Sequence, residues 1–181
     1  MEIKIINALP EHVKKIREIS QELKFNQEKP KCEALITVLR EREYVERTRL
    51  SKYFYVAVEG QIVLGFLMAF DDKTYEELLR RGLFHHEEIV PFLNNNEKPF
   101  VYWESFGVAN NKQRAGVGKA LINRLLEDGI NDDKKIIHAM IRHEPYKNNA
   151  SINFTKQFGF QYSGIDVPSE EYTHGIYQKT L

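Results

Sequence analysis

A glycine-containing loop between a predicted strand and a predicted helix is the feature that most constrains the fold. Residues 100–108 are rich in aromatic and β-branched side chains, which predicts a strand. Apolar residues recur at helical spacing from Val117 to Leu126, and Asp128-Gly129 is expected to end that helix. Backbone N–H groups in such a loop lack intrahelical partners and lie at the positive end of the helix dipole. The arrangement therefore favours binding of a phosphate or pyrophosphate.

The loop sequence can be compared with three phosphate-binding patterns. A P-loop would need Gly at position 113 and Ser or Thr at position 120, where the chain has Gln113 and Ala120. A dinucleotide fingerprint would need a third Gly where Leu121 stands. The pattern Gln/Arg-x-x-Gly-x-Gly/Ala is satisfied in full by residues 113–118. With it, the segment resembles the acetyl-CoA pyrophosphate loop of the GNAT family of N-acetyltransferases. For these six residues alone, an ordinary helix after a glycine turn stays open as the alternative.

A second segment carries the same resemblance. The family pattern is Asn, a small residue three positions on, an apolar run, a Tyr and Gly-Phe. The residues in register here are Asn148, Ser151, Ile152, Phe154 and Gly159-Phe160. The resemblance implies that Asn148 hydrogen-bonds the amide of the pantetheine arm, whereas spacing alone supports a plain helix N-cap equally well.

One residue departs from this pattern. Thr155 stands four positions before Gly159, where the family commonly carries the Tyr that protonates the departing thiolate. A threonine hydroxyl is a much weaker acid than a phenol, whose reference pKa is ~10, so Thr155 would only hydrogen-bond the sulfur. Tyr146, Tyr162 or a water is the alternative donor. Thiols have a reference pKa of ~8.5, so the thiolate can also leave unassisted.

The resemblance implies acetyl-CoA as cosubstrate. The implied pyrophosphate site is the main chain of Gln113, Arg114, Ala115, Gly116, Val117, Gly118 and Lys119. The pantetheine is expected along the main chain at Phe106 and Val108, beside Asn148 and Ser151. A backbone N–H near Val108 would polarise the thioester carbonyl.

The implied reaction is direct transfer of the acetyl group to a primary amine in a ternary complex. Such an amine has a reference pKa of ~10.4 and must lose a proton before it attacks. Alternation along residues 100–108 predicts one face of the strand with Tyr102, Glu104, Phe106 and Val108, and the other with Val101, Trp103 and Ser105. Glu104 is the candidate base, directly or through water, with an ion-paired carboxylate as the alternative. Tyr102 and His138 are lesser candidates.

Two other functions stay open on the sequence. A catalytically silent acetyl-CoA-binding module is suggested by Thr155 in the position of the family's Tyr. A nucleotide-binding protein using residues 116–119 is disfavoured by the missing Ser/Thr and the missing third Gly. The acceptor is expected to be a small-molecule amine or a peptide.

Periodicity and turn residues predict an α/β (α+β) chain. The predicted strands are residues 1–7, 53–58, 62–70, 100–108, 134–141, 161–167 and 171–181, and the predicted helices begin near residues 8, 32, 74, 117 and 148. By the resemblance, the strands form a mixed, mostly antiparallel, splayed central sheet flanked by helices, the acyl-CoA N-acyltransferase fold. We expect a single N-acetyltransferase domain over residues 1–181.

Residues 71–99 depart from the compact family pattern and are predicted to form an inserted helical and loop element. Such an element would serve as a lid, a substrate wall or a homodimer contact. His85 and His86 are adjacent, whereas two helical ligands of one ion need a spacing of three or four, so no metal site is expected. In the family the first two helices wall off the acceptor site, which makes Phe25, Asn26 and Tyr44 candidates for substrate contact, with packing as the favoured alternative.

Composition restricts the partners. Lys and Arg together number 26, as do Asp and Glu, so no basic field predicts nucleic acid or a membrane surface as a partner. The longest apolar run, residues 62–70, is far shorter than the ~20 residues of a membrane span. The start of the chain lacks the apolar core of a signal peptide, and the single Cys32 allows no intramolecular disulfide. A cytoplasmic location is the default expectation.

Overall fold

The computed structural model describes residues 2–24, 38–110 and 116–181. A seven-stranded sheet in the order β1-β2-β3-β4-β5-β7-β6 forms its centre, and every neighbouring pair except β4–β5 is antiparallel. The strands are β1 (Lys4–Asn7), β2 (Phe54–Glu59), β3 (Ile62–Asp71), β4 (Phe100–Val108), β5 (Ile136–Glu144), β6 (Gln161–Pro168) and β7 (Thr173–Thr180). The predicted mixed, mostly antiparallel sheet is confirmed.

Helices cover both faces of the sheet. They are α1 (Val13–Glu22), α2 (Glu41–Leu50), α3 (Asp72–Arg80), α4 (Val90–Asn94), α5 (Val117–Asn131) and α6 (Asn149–Lys156). Apolar residues of α5 and α6 pack on one face, where Leu67 and Ala69 of β3 point. The opposite face, where Phe66, Met68 and Phe70 point, receives α1 and α2 and then the segment that contains α3 and α4.

The central strand β4 carries a β-bulge at Glu104. Met68 of β3 pairs with Ser105 and Ala69 pairs with Trp103, so Glu104 is the extra residue of β4. A bulge reverses the alternation of side chains beyond it. The prediction that Glu104 shares a face with Phe106 and Val108 is therefore wrong. Phe106 and Val108 pack in the same apolar cluster as Trp103, whereas the side chain of Glu104 points to the face that carries α2.

The two parallel strands separate beyond this bulge. Pairing of β4 with β5 runs from Phe100↔Ile136 to Trp103↔Ala139 and includes no later residue of β4. From Glu104 onward, that edge of β4 therefore has no strand partner in the described part of the chain. The expected splay of the sheet is confirmed, and it opens a gap between β4 and β5 that side chains and ligands can enter.

Some predicted boundaries differ from the structure. Helix α5 continues through Gly129 to Asn131, because Gly129 does not adopt the positive φ of a helix-ending glycine. Its missing Cβ allows a close approach to Leu181, whose Cδ1 would lie 2.7 Å from such an atom. Strand β5 extends to Glu144 through a segment predicted as a loop. The second helix was predicted from residue 32, but residues 38–40 are not helical and α2 begins at Glu41; residues 32–37 lie outside the described part.

The segment predicted as an inserted element, residues 71–99, is anchored to the turn that precedes β5. Lys134 Nζ, which is nearly buried, lies 3.1 Å from Asp71 Oδ2 and 3.3 Å from Asp72 Oδ1. Tyr75, Phe84, Phe100 and Tyr102 form a chain of edge-to-face and tilted ring contacts beneath the element. The segment thus packs as part of the molecular core.

Candidate active site

A cleft of about 990 Å³ passes through the gap between β4 and β5. On the α5/α6 side it is lined by Trp103, Phe106, Val108, Gly118, Ala139, Ile141, Asn148, Ala150, Ser151, Phe154 and Thr155. On the opposite side it is lined by Leu23, Leu39, Met68, His85, His86, Glu88, Glu104, Met140, Arg142, Tyr172 and His174, with further residues at its rim. One continuous cavity therefore joins two chemically different chambers across the sheet.

The N-terminus of α5 opens onto the first chamber. Gly116 is the N-cap, and its φ of 78° lies in the left-handed region that glycine adopts without strain. Gly118 is buried against the cleft wall, and a Cβ there would lie 2.9 Å from Phe106 Cζ and 3.1 Å from Phe154 Cζ. Lys119 is exposed beside it. Gln113, Arg114 and Ala115 lie outside the described residues, so the predicted phosphate loop is seen from Gly116 onward.

The unpaired edge of β4 forms one wall of the same chamber. Phe106 and Val108 lie on it, and both line the cleft. Trp103 Nε1 donates a hydrogen bond to the Ser105 carbonyl at 3.2 Å, which fixes the backbone just before them. An extended ligand that carries amide groups can bond such an edge as an added strand would.

The opposite wall is the first turn of α6. Asn148 is its N-cap: Asn148 Oδ1 accepts the Ser151 N–H at 3.0 Å, as the spacing predicted. The amide nitrogen of Asn148 remains a donor beside the cleft. The Thr155 hydroxyl is buried and donates to the Ile152 carbonyl at 3.1 Å. Its proton is thus engaged within the helix, although the oxygen can still accept.

Glu104 lies at the junction of the two chambers and is bound by a buried arginine. Arg47 Nε donates to Glu104 Oε2 at 2.9 Å, and Arg47 Nη2 donates to Oε1 at 3.1 Å. The side chains of the two residues are 0% and 2% exposed, so the pair is shielded from bulk water. Each carboxylate oxygen keeps a further lone pair that can accept a proton or a hydrogen bond from the cleft.

Several predicted residues lie away from the cleft wall. Tyr146 is 49% exposed and is not part of the lining. Tyr44 is fully buried and pairs with Ser20 Oγ, so it packs in the core. Burial, with the charges of Glu104 and Glu88, raises the pKa of Tyr102 well above its usual value, so this phenol keeps its proton at neutral pH. Phe25 and Asn26 lie outside the described residues.

His138 is sealed in the core. Burial lowers its pKa to about 4, and its ring contacts Phe92 and Phe100. Its Nδ1 lies 3.3 Å from Gln178 Nε2. A neutral imidazole that lines no part of the cleft is not placed to receive a proton from an acceptor amine.

The second chamber contains polar residues that sequence reasoning did not assign to the site. Glu88 Oε1 from the inserted element lies 3.6 Å from His86 Nδ1, and the interaction with His86 holds the pKa of Glu88 below the usual value. His174 of β7 lines the same chamber, and burial lowers its pKa to about 4. These residues are 86 positions apart along the chain, so only sheet order brings them together.

Two physical features are absent from the described residues. They hold no group of three or more His, Cys, Asp or Glu side chains arranged to bind a metal ion. Within the same ranges, the helices are too short or too polar for any of them to cross a membrane.

Comparison with known proteins gives one family and many structural neighbours. The family described as "Acetyltransferase (GNAT) family" matches residues 13–160. No curated protein matches the chain. Ard1 from Thermoplasma volcanium superposes with a TM-score of 0.71 at 16% identity, covering 100% of this chain and 99% of its own.

Two further neighbours were solved with a cofactor or an analogue. Arabidopsis thaliana Naa50, in complex with the bisubstrate analogue CoA-Ac-MVNAL, has a TM-score of 0.68 at 14% identity and full coverage of both chains. The putative acetyltransferase yncA from Salmonella typhimurium, with acetyl-CoA, has a TM-score of 0.66 at 15% identity, covering 100% of this chain and 95% of its own. At these identities the likeness establishes the fold and says nothing about the acceptor.

Proposed function

The chain belongs to the acetyltransferase (GNAT) family and is an acetyl-CoA-dependent acyltransferase, and we propose that it acetylates a primary amine by direct transfer within a ternary complex. The observation that carries this proposal is the continuous cleft, which joins the α5 N-terminus to a buried carboxylate through the gap between β4 and β5. Such a cavity lets a donor and an acceptor approach from opposite faces of the sheet. Side-by-side binding is a large source of acceleration in its own right.

The first chamber fits acetyl-CoA. Backbone N–H groups from residues 113–119, with Gly116 in the left-handed region, are proposed to hold the pyrophosphate. The open edge of β4 at Phe106 and Val108 is proposed to bond the pantetheine amides, together with Asn148 and Ser151. When bound, acetyl-CoA supplies an activated thioester, and the backbone N–H near Val108 is the proposed donor to its carbonyl oxygen.

Glu104 is the proposed base. Its carboxylate lies where the two chambers meet, and two N–H groups of Arg47 hold it in place while each oxygen keeps a lone pair for a further proton. Glu104 is therefore proposed to accept the proton of the incoming ammonium, directly or through one water. Thr155 and Tyr146 are the proposed partners of the departing thiolate. Thr155 lines the cleft and Tyr146 does not, and the Thr155 hydroxyl would have to turn from the Ile152 carbonyl to donate to the sulfur.

The acceptor is proposed to be a small amine or the amino terminus of a peptide. The neighbour Naa50 was solved with an analogue that carries a peptide, which makes peptides one class to test. The second chamber combines apolar residues such as Leu39 and Met68 with ionisable ones such as Glu88 and His174. That combination suits an acceptor with both a polar amine and an apolar stem.

The decisive experiment is release of free CoA from acetyl-CoA, measured over a panel of small amines and peptides. The unchanged chain is expected to release thiol with at least one acceptor, and Glu104→Gln is expected to lower kcat/KM at least 100-fold at neutral pH. Calorimetry should give equal CoA affinity for both proteins. Binding of CoA without thiol release for every acceptor would overturn the proposal in favour of a silent binding module.

A further inference from the structure

Arg47 joins three separate parts of the molecule at the junction of the two chambers. It projects from α2, and its side chain is fully buried. Nε and Nη2 bind the two oxygens of Glu104, while Nη2 also donates to the Leu83 carbonyl at 2.8 Å. Nη1 donates to the Glu43 carbonyl of its own helix at 3.4 Å. Four of the five N–H groups of the guanidinium are thus in use.

The acceptors of Arg47 come from elements that bound the cleft. Glu104 is the bulged residue of β4, and Leu83 belongs to the inserted element, residues 71–99. A β-bulge re-aims one side chain but does not fix its rotamer. The planar fork of an arginine supplies that fixation, because two parallel hydrogen bonds define both the position and the plane of a carboxylate.

Neighbouring contacts hold α2 against the inserted element in the same orientation. His85 Nε2 lies 3.0 Å from Glu43 Oε1, and Arg81 Nη1 lies 3.1 Å from Glu46 Oε2. Glu43, Glu46 and Arg47 are spaced three and four residues apart, so they occupy one face of the helix. The inserted element is therefore tied to the same helix face that presents Arg47 to Glu104.

We propose that Arg47 is a positioning residue for acetyl transfer, which holds the Glu104 carboxylate aimed at the acceptor, and that the inserted element completes this arrangement through the Leu83 carbonyl. The inference rests on the proposed function, in which Glu104 receives the amine proton. Residues 71–99 then have a defined role: the Leu83 carbonyl holds the guanidinium group of Arg47, which in turn positions the carboxylate of Glu104. Lysine at position 47 would keep the charge and lose the fork.

A purely structural ion pair is the competing explanation. Buried pairs contribute little net stability on average, but loss of one partner is strongly destabilising because a charge is left buried without compensation. Loss of stability in an Arg47 variant would therefore not separate the two explanations. A readout is needed that reports on the carboxylate of Glu104 itself.

The test follows the side-chain carboxyl carbon of Glu104 by ¹³C NMR at pH 7, with its resonance assigned from Glu104→Gln. In Arg47→Met this resonance is expected to shift and to broaden, because the carboxylate loses two hydrogen bonds and its fixed orientation. Arg47→Lys should give a smaller change. Arg81→Met, which breaks a solvent-accessible pair of the same helix face, should leave the resonance unchanged. Coincident resonances in the unchanged chain, Arg47→Met and Arg47→Lys would overturn the inference.

Kinetics provide the second readout. Arg47→Met is expected to lower kcat/KM about 100-fold at pH 7, mainly through kcat, with CoA affinity unchanged. The double variant Arg47→Met/Glu104→Gln removes both charges, so it avoids an uncompensated buried ion. It should be no less active than Glu104→Gln alone, and fully additive losses would contradict action through Glu104. Absence of CoA release from the unchanged chain would refute the proposed function, while the NMR comparison would still decide whether Arg47 holds Glu104 in place.

Discussion

The rings of Phe106 and Phe154 stack with 5.4 Å between their centroids and 20° between their planes, and so connect β4 to α6 across the open part of the sheet. Gly118 lies directly behind both rings. The second glycine of the phosphate-loop pattern thus has a packing role: it lets α5 approach the ring pair that walls the first chamber.

Gly118→Ala is expected to destabilise the protein. Within a helix, alanine is normally more stabilising than glycine by about 1 kcal/mol. Here the Cβ of alanine would press on the two rings, and overpacking of this kind costs about 1–3 kcal/mol. Urea unfolding measures the net change. Lys119→Ala, at the adjacent exposed position, should alter stability by less than about 0.5 kcal/mol. A Gly118→Ala protein more stable than the unchanged chain would show that the rings move aside freely.

Asn148→Ser separates the two roles of the α6 N-cap. Serine retains an oxygen that can accept the Ser151 N–H, so stability should be preserved, whereas Asn148→Ala should lose about 1 kcal/mol. Serine lacks the amide N–H₂, so CoA affinity measured by calorimetry should fall about three- to tenfold in both variants. Unchanged CoA affinity in Asn148→Ser would mean that Asn148 only caps α6 and does not bind CoA.

Lys134→Met is expected to loosen the inserted element. It would leave the nearly buried carboxylates of Asp71 and Asp72 without their cation, at a cost of about 3–5 kcal/mol. The adjacent Lys135 forms an exposed pair with Glu97, so Lys135→Met is the matched control and should change stability by less than about 1 kcal/mol. Equal urea midpoints for the two variants would contradict the anchoring role of Lys134.

Stability is expected to fall as the pH decreases from neutrality, in part through His138. Burial lowers the pKa of its folded-state imidazole to about 4, below the ordinary ~6.5 of an unfolded chain. Between these values the unfolded chain binds a proton that the folded chain does not, so the free energy of unfolding decreases by about 1.4 kcal/mol per pH unit. The contribution is fully present above pH ~6.5 and is lost as the pH falls towards 4.

The corresponding measurement compares urea unfolding at pH 7 and pH 5. The loss of stability should be about 2 kcal/mol smaller in His138→Gln than in the unchanged chain. Parallel losses in the two proteins would mean that His138 takes up its proton without unfolding.

Local patterns were enough to predict most of the secondary structure and one chamber of the cleft. Strand β4, the left-handed glycine after α6 and the Asn148 cap depend on residues within a few positions of one another. Secondary-structure propensity, hydrophobic periodicity and helix capping act between residues that are close in the sequence, so the sequence alone can predict them. The same holds for the start of α5 at Val117, directly after Gly116.

The sequence by itself determined the elements, the family and the residues beside the proposed cofactor site, because each of these depends on short-range pattern. Only the tertiary structure decided the catalytic surroundings. A one-residue bulge at Glu104 moved Phe106 and Val108 to the face opposite Glu104, and α2 placed Arg47 on that carboxylate from 57 positions away. Neither event leaves a periodic signal, since strand register and the docking of a helix are settled by packing across the whole sheet.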